Sequence, residues 1–193
     1  MDNYPYAEQT DNELVRLSLS DPNQFLYLSK RYEDKLLRYI TRISKFSRDE
    51  AEDVLQEVFI KTYYNLNGFD PDLKFSSWIY RIAHNETISA IRKKVARPTV
   101  SLDSEDLKNF TDSFDLSRDL DKSFDRKLIN QALSKLDDKY HEVLVLRFLD
   151  EKDYVEIADI LKKPVSTVGN LILRGKKLFK EEYNKLIINK NTK

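Results

Sequence analysis

Between Lys162 and Lys180 the chain carries six basic residues, Lys162, Lys163, Arg174, Lys176, Lys177 and Lys180, and no acid. The stretch before it, Asp137 to Asp159, holds eight acids against Lys139, Arg147 and Lys152. A reversal of charge at that point suits the later segment to a polyanion. Ser166, Thr167, Asn170 and Arg174 recur at spacings that line one side of a helix. In a major groove such groups can bond base edges or phosphates, with Lys163 and Lys177 beside them as further cations.

Two short helices are needed to hold these residues. Asp153 and Glu156 form a capping box, and Val155, Ile157, Ala158, Ile160 and Leu161 give an apolar face that ends at the turn Lys162-Lys163-Pro164. Val165, Val168, Leu171, Ile172 and Leu178 continue an apolar stripe on a second helix. The pattern predicts a helix-turn-helix with a basic second helix. A surface hairpin with a solvated Lys face accounts for this segment on its own terms as well.

The first half offers two further candidate faces. Asp21-Pro22 caps a helix with apolar positions Phe25, Leu28, Tyr32, Leu36, Tyr39, Ile40 and Ile43, running to about Lys45. A second capping box, Ser47 to Glu50, opens a helix with core positions Ala51, Val54, Leu55, Val58, Phe59 and Thr62, which stops near Asn67-Gly68. Opposite that core lie Glu50, Asp53 and Glu57, with Gln56 alongside. The stripe fits either a solvated acidic face or a docking surface for a basic partner. The next helix, from about Ser76, turns Trp78, Ile79, Ile82 and Ala83 inward and presents Tyr80, Arg81, His84, Asn85, Arg92, Lys93 and Lys94. Aromatic and amide groups among cations suit a single nucleic-acid strand, because rings stack on bases while cations hold phosphates.

Composition narrows the classes. Three Gly and five Pro among 193 residues favour helices, and 40% apolar residues are enough for real cores. With no Cys and two distant histidines, His84 and His141, neither a thiolate zinc site nor an HExxH-type pair is available, so no metal and no cofactor are expected. No paired-carboxylate cleft, nucleophile constellation or phosphate loop is visible, so no catalytic residue is expected either. No apolar run approaches spanning length and the polar N-terminus is unlike a signal peptide, which points to the cytoplasm and against membrane insertion. Net charge is zero, so a binding function would be local to patches. The expected architecture is all-α, with small helical domains at 1–95 and 128–193 joined by a flexible acidic linker at 96–127.

Two blocks then resemble one family. AEDVLQEVFIKTYYNL followed by FSSWIYRIAHNETISAIRKK is similar to the polymerase-binding and minus-ten region of bacterial extracytoplasmic-function sigma factors. LSKLDDKYHEVLVLRFLDEKDYVEIADILKKPVSTVGNLILRGKKL is similar to their C-terminal minus-thirty-five domain. The resemblance covers roughly residues 10–95 and 128–182, in the family's order. It implies a region 2 helical bundle, a region 4 helix-turn-helix, and a function in directing core RNA polymerase to promoter DNA.

The resemblance also implies roles. Glu50, Asp53, Gln56 and Glu57 would dock on the β′ clamp helices of polymerase, and region 4 would meet the β flap. Asn67 and Phe69 would belong to the loop that accepts a flipped minus-ten base, with Tyr80, His84, Asn85, Arg92 and Lys93 on the adjoining strand-binding helix. Lys163, Ser166, Thr167, Asn170, Arg174 and Lys177 would face the minus-thirty-five element. Family habit adds an anti-sigma factor as partner. Departures from the family pattern are Ser89 where Asp is usual, Lys162 where Gly stands in the turn, and Gly169, Asn170 and Leu171 in place of Lys, Ser and Arg. Competing expectations are a helix-turn-helix regulator acting without polymerase docking, which leaves the first block unexplained, and a sigma-like adaptor that has lost DNA binding.

Overall fold

The computed structural model describes residues 8–96 and 120–191, and eight α-helices lie among them, with no strand. Four belong to the first domain: α1 (Asp11–Ser20), α2 (Phe25–Ile43), α3 (Arg48–Tyr64) and α4 (Phe75–Ala96). Four belong to the second: α5 (Leu120–Leu133), α6 (Asp138–Leu144), α7 (Tyr154–Leu161) and α8 (Val165–Asn191). Most of the acidic linker expected at 96–127 lies outside the described residues, while α5 begins within that stretch, at Leu120.

In the first domain α2, α3 and α4 pack around Leu28, Leu36, Tyr39, Ile40, Val58, Ile79 and Ala83, all fully buried. Ser47 accepts the amide of Glu50 and the Glu50 carboxylate returns to the Ser47 amide, so the expected capping box opens α3. Pro22 starts a 3-10 turn, Pro22–Gln24, that leads into α2. Helix α1 is an element the sequence reading passed over; its Thr10–Glu13 capping box seats Leu14 and Val15 against the bundle. The rings of Phe69, Phe75 and Trp78 lie 5.3 to 5.5 Å apart between centroids, which anchors the loop before α4.

The second domain closes over Val143, Val145, Leu146, Ile157, Ile160, Val168 and Ile172. Helix α6 continues through a π turn, Val145–Leu149, before the chain doubles back into α7. A Cβ at Gly175 would meet Leu144 Cγ at 3.3 Å, so glycine allows α8 its close approach to α6. The Asp153–Glu156 capping box starts α7, and α7 and α8 form the expected helix-turn-helix.

Lys162 closes α7 in the left-handed region, at φ 50° and ψ 48°, donating its amide to Ala158. That is the backbone state in which Gly is at ease and a Cβ is crowded. The family's Gly at this position therefore has a conformational reason, and Lys162 occupies it at a cost. Replacing Lys162 by Gly should stabilise the second domain by about 1 kcal/mol, offset only slightly by losing the exposed Lys162–Asp159 pair. The expected result is a thermal midpoint a few degrees higher than that of wild type, with Lys162→Ala showing no such gain; equal midpoints for Gly and Ala would show that strain at this turn is unimportant.

Candidate nucleic-acid and protein interfaces

Helix α8 presents its polar side openly. Ser166, Thr167, Asn170, Arg174 and Lys177 are all exposed, as is Lys163 in the turn, while Val168 and Ile172 hold the opposite side in the core. A Cβ at Gly169 would come no closer than 3.8 Å, to Tyr154, so the absent family cation there is not forced by crowding. Leu173, 70% exposed, stands among the cations.

Helix α3 presents the acidic stripe. Asp53, Gln56 and Glu57 are exposed above a row of buried Ala51, Val54, Leu55 and Val58. Glu50, at the N-terminal end, is half-buried and bound to Lys94 of α4 at 2.6 Å. Ile60, Tyr63 and Tyr64 continue the exposed surface at the C-terminal end of the helix.

The residues expected at the minus-ten strand, on α4 and the loop before it, divide between two fates. Asn67, Asn85, Arg92 and Lys93 are exposed. Phe69 is buried within the ring cluster and Trp78 is buried beside it. Tyr80, expected on the presented side, is only 2% exposed, because α4 meets α7 of the second domain along this side. Its hydroxyl donates to Asp150 Oδ1 at 3.3 Å. Arg81 Nη1 donates to Asp159 at 2.8 Å, and His84 Nδ1 faces the Glu142 carboxylate.

These contacts form one polar seam between the domains. Tyr39 donates its hydroxyl to Glu142 at 3.2 Å, and Arg42 reaches Asp150 at 3.4 Å. Lys74 lies 3.2 Å from Asp153 and 3.7 Å from Glu156, while Ser76 donates to Glu156 at 3.2 Å. Lys152 Nζ sits 4.3 Å from the centre of the Tyr80 ring, a cation–π contact. Burial, followed by the Asp150 charge, pushes the Tyr80 phenol well above its ordinary pKa, and burial and Glu142 do the same to Tyr39. Both hydroxyls therefore stay protonated as donors. Burial raises the Asp150 carboxyl against the pull of Arg42 and Tyr80, and burial lowers the Lys152 ammonium.

Sequence reasoning named Tyr80, Arg81 and His84 but missed their partners Glu142, Asp150 and Asp159. The signal available in the sequence is the density of acids from Asp137 to Asp159. A cleft of about 520 Å³ lies at one end of the seam, lined by Thr10, Asp11 and Asn12, the loop from Pro71 to Ser76, and Glu156. Among the described residues there is no group of three or more His, Asp or Glu placed to hold a metal ion, and no helix long and apolar enough to cross a membrane.

Two family models match the chain: Sigma-70 region 2 over residues 28–97 and Sigma-70, region 4 over residues 126–179. The ECF RNA polymerase sigma factor SigW of Bacillus subtilis is 37% identical, the alignment covering 90% of this chain and 96% of that one. The ECF RNA polymerase sigma-E factor of Haemophilus influenzae is 31% identical over 94% of this chain and its own full length. CnrH, solved in complex with the cytosolic domain of CnrY, shares the fold with a TM-score of 0.68 at 22% identity, covering 91% of this chain and 97% of that one. The sigma factor RpoE of Bartonella quintana, solved with the anti-sigma factor NepR, gives a TM-score of 0.62 at 20% identity over 85% of this chain and 97% of its own. Domain order, helix-turn-helix geometry and these matches agree: the chain belongs to the extracytoplasmic-function family of RNA polymerase sigma factors.

Proposed function

We propose that this sigma factor docks on the β′ clamp helices of core polymerase through Asp53, Gln56 and Glu57, with Glu50 at the margin, and reads promoter DNA with its two domains in turn. The observation that carries the docking assignment is the exposure of these three side chains above a row of buried apolar ones. A rigid helix holding carboxylates in register complements a basic partner surface. In the same reading the β flap receives the second domain.

The minus-thirty-five element meets Ser166, Thr167 and Asn170 at base edges, with Lys163, Arg174 and Lys177 on phosphates; the exposure of all six supports this. Arg92, Lys93, Asn85 and Asn67 are exposed for the minus-ten strand, while Tyr80, His84 and Phe69 would have to be uncovered or act from within. The protein makes and breaks no covalent bond: a base held outside the duplex offsets the few kcal/mol of its unstacking, so binding energy alone favours melting. Its place of action is the cytoplasm, where core polymerase and promoters are. An anti-sigma factor is a fitting regulator, since RpoE of Bartonella quintana was solved with one.

Run-off transcription with purified core polymerase, on a fragment upstream of the protein's own gene, tests the whole reading. Charge reversal at Asp53 and Glu57 together should weaken holoenzyme formation at least tenfold while leaving helical content unchanged, because the core side of α3 is untouched. Wild-type affinity for core in that double variant would refute docking through this stripe.

The recognition helix yields a separable pair of outcomes. An Asn paired to one base contributes roughly 1 to 3 kcal/mol of discrimination, so Asn170→Ala should relax preference at one promoter position. Arg174→Ala should weaken all sequences alike and flatten the salt dependence. Transcription from a library of minus-thirty-five variants at two salt concentrations distinguishes the two; if neither substitution alters choice or strength, this side of α8 does not read DNA.

A further inference from the structure

We propose that Leu173 reads a thymine: together with Gly169 it forms an apolar notch at the edge of the α8 recognition side, fitted to the C5 methyl group of one thymine in the minus-thirty-five element. This rests on the assignment of α8 to that element and adds to it a contact of different chemistry.

Two residues that the fold does not call for carry the inference. Leu173 is 70% exposed on a helix where Val168, Leu171 and Ile172 are turned into the core or against it. It follows Gly169 by four residues and Asn170 by three, and precedes Lys177 by four, so these residues share one side of α8. Gly169 lies inside the same helix, where glycine is less favourable than alanine. Its backbone has no need of glycine, because no glycine among the described residues has a positive φ. Its packing has none either, since a Cβ there would meet only Tyr154, at an ordinary 3.8 Å. What glycine supplies is room: with no side chain one turn before Leu173, a base edge can approach the leucine along its flank.

The major groove offers such a side chain one complement. The thymine C5 methyl is the apolar group displayed there, whereas guanine, adenine and cytosine present donors and acceptors. Leu173 set against guanine N7 or O6, or against the cytosine amino group, would strip water from those groups and return no hydrogen bond. The contact therefore favours thymine and disfavours the other bases. A protein partner fits less well. Arg174, Lys176 and Lys177 follow Leu173, and Lys176 stands over the exposed Phe148 ring at 5.8 Å, which sets Leu173 within a cationic surface rather than an apolar patch.

The test uses holoenzyme, the full chain with core polymerase, on the strongest promoter recovered from the minus-thirty-five library. Each thymine of that element, on either strand, is replaced singly by uracil, which removes only the C5 methyl. Binding is followed by fluorescence anisotropy of the labelled promoter duplex. At one position uracil should weaken wild type about fourfold, the factor given by returning one methyl group to water. Leu173→Ala should weaken the thymine promoter at least as much and bind the thymine and uracil forms alike, with the helicity and thermal midpoint of wild type. Gly169→Ala should raise the thermal midpoint, as alanine does in a helix, yet weaken the thymine promoter, because its methyl group stands in the approach.

If no uracil exchange affects wild type, or if Leu173→Ala keeps the wild-type preference for thymine over uracil, the methyl contact is overturned. A Leu173→Ala defect in the absence of any thymine preference would overturn it in favour of a protein contact. Undiminished binding by Gly169→Ala would overturn the part given to Gly169. Arg174→Ala separates these failures from that of the underlying assignment. If it weakens every template while the uracil exchanges are silent, α8 meets DNA and the methyl contact alone fails; if all the α8 substitutions are silent, the minus-thirty-five assignment fails with it.

Discussion

A phenol buried in a protein interior must give its proton to an acceptor, and two buried phenols of the first domain find theirs on the second. Tyr39 and Tyr80 belong to the bundle by their rings, whose centroids lie 5.1 Å apart, yet their hydroxyls end on Glu142 and Asp150. An unmet hydroxyl there would cost about 1 to 3 kcal/mol, and so would an unmet carboxylate or more. The relative placement of the domains follows from this pairing. With Tyr80 on Asp150, the chain must run on through Asp153 along α4, which brings Glu156 to Ser76 and Asp159 to Arg81.

The parts of this structure legible in the sequence are those fixed by short spacings. Ser47-to-Glu50 and Asp153-to-Glu156 are chemical statements complete within four residues, and both capping boxes formed as read. Core positions on α2, α3 and α7 follow from periods that the backbone imposes whatever else the chain does. Helix α1 was equally legible, since Thr10-to-Glu13 is the same box, but its ten residues made little periodic signal beside the longer α2. The strain at Lys162 was visible only as a departure from a family glycine; the backbone angle supplies the reason.

The seam was not legible, for a different reason. Tyr39 and Glu142 are 103 residues apart, Arg42 and Asp150 are 108 apart, and no local rule pairs them. Periodicity puts Tyr80, Arg81 and His84 on the presented side of α4, and the residue count marks Asp137 to Asp159 as dense in acids, but nothing local pairs the two. What decides otherwise is that the two surfaces are complementary and tethered in one chain, a condition of effective concentration that sequence motifs do not display.

The chemistry of the seam also determines how easily it can be undone. An apolar interface of the same extent would favour closure in proportion to the area withdrawn from water, with nothing returned on opening. Here carboxylates, guanidinium and ammonium groups and phenols stand beside apolar contacts, since the buried apolar residues of both domains join in one cluster, and desolvation of the polar groups cancels much of their mutual attraction. Burial raises the Asp150 carboxyl and lowers the Lys152 ammonium, the directions in which loss of water pushes each toward its neutral form. Parted from one another, the charged groups would regain water, which offsets much of what the contact gives them. The polar part of the seam is thus specific enough to set one arrangement of the domains while adding little to its net stability.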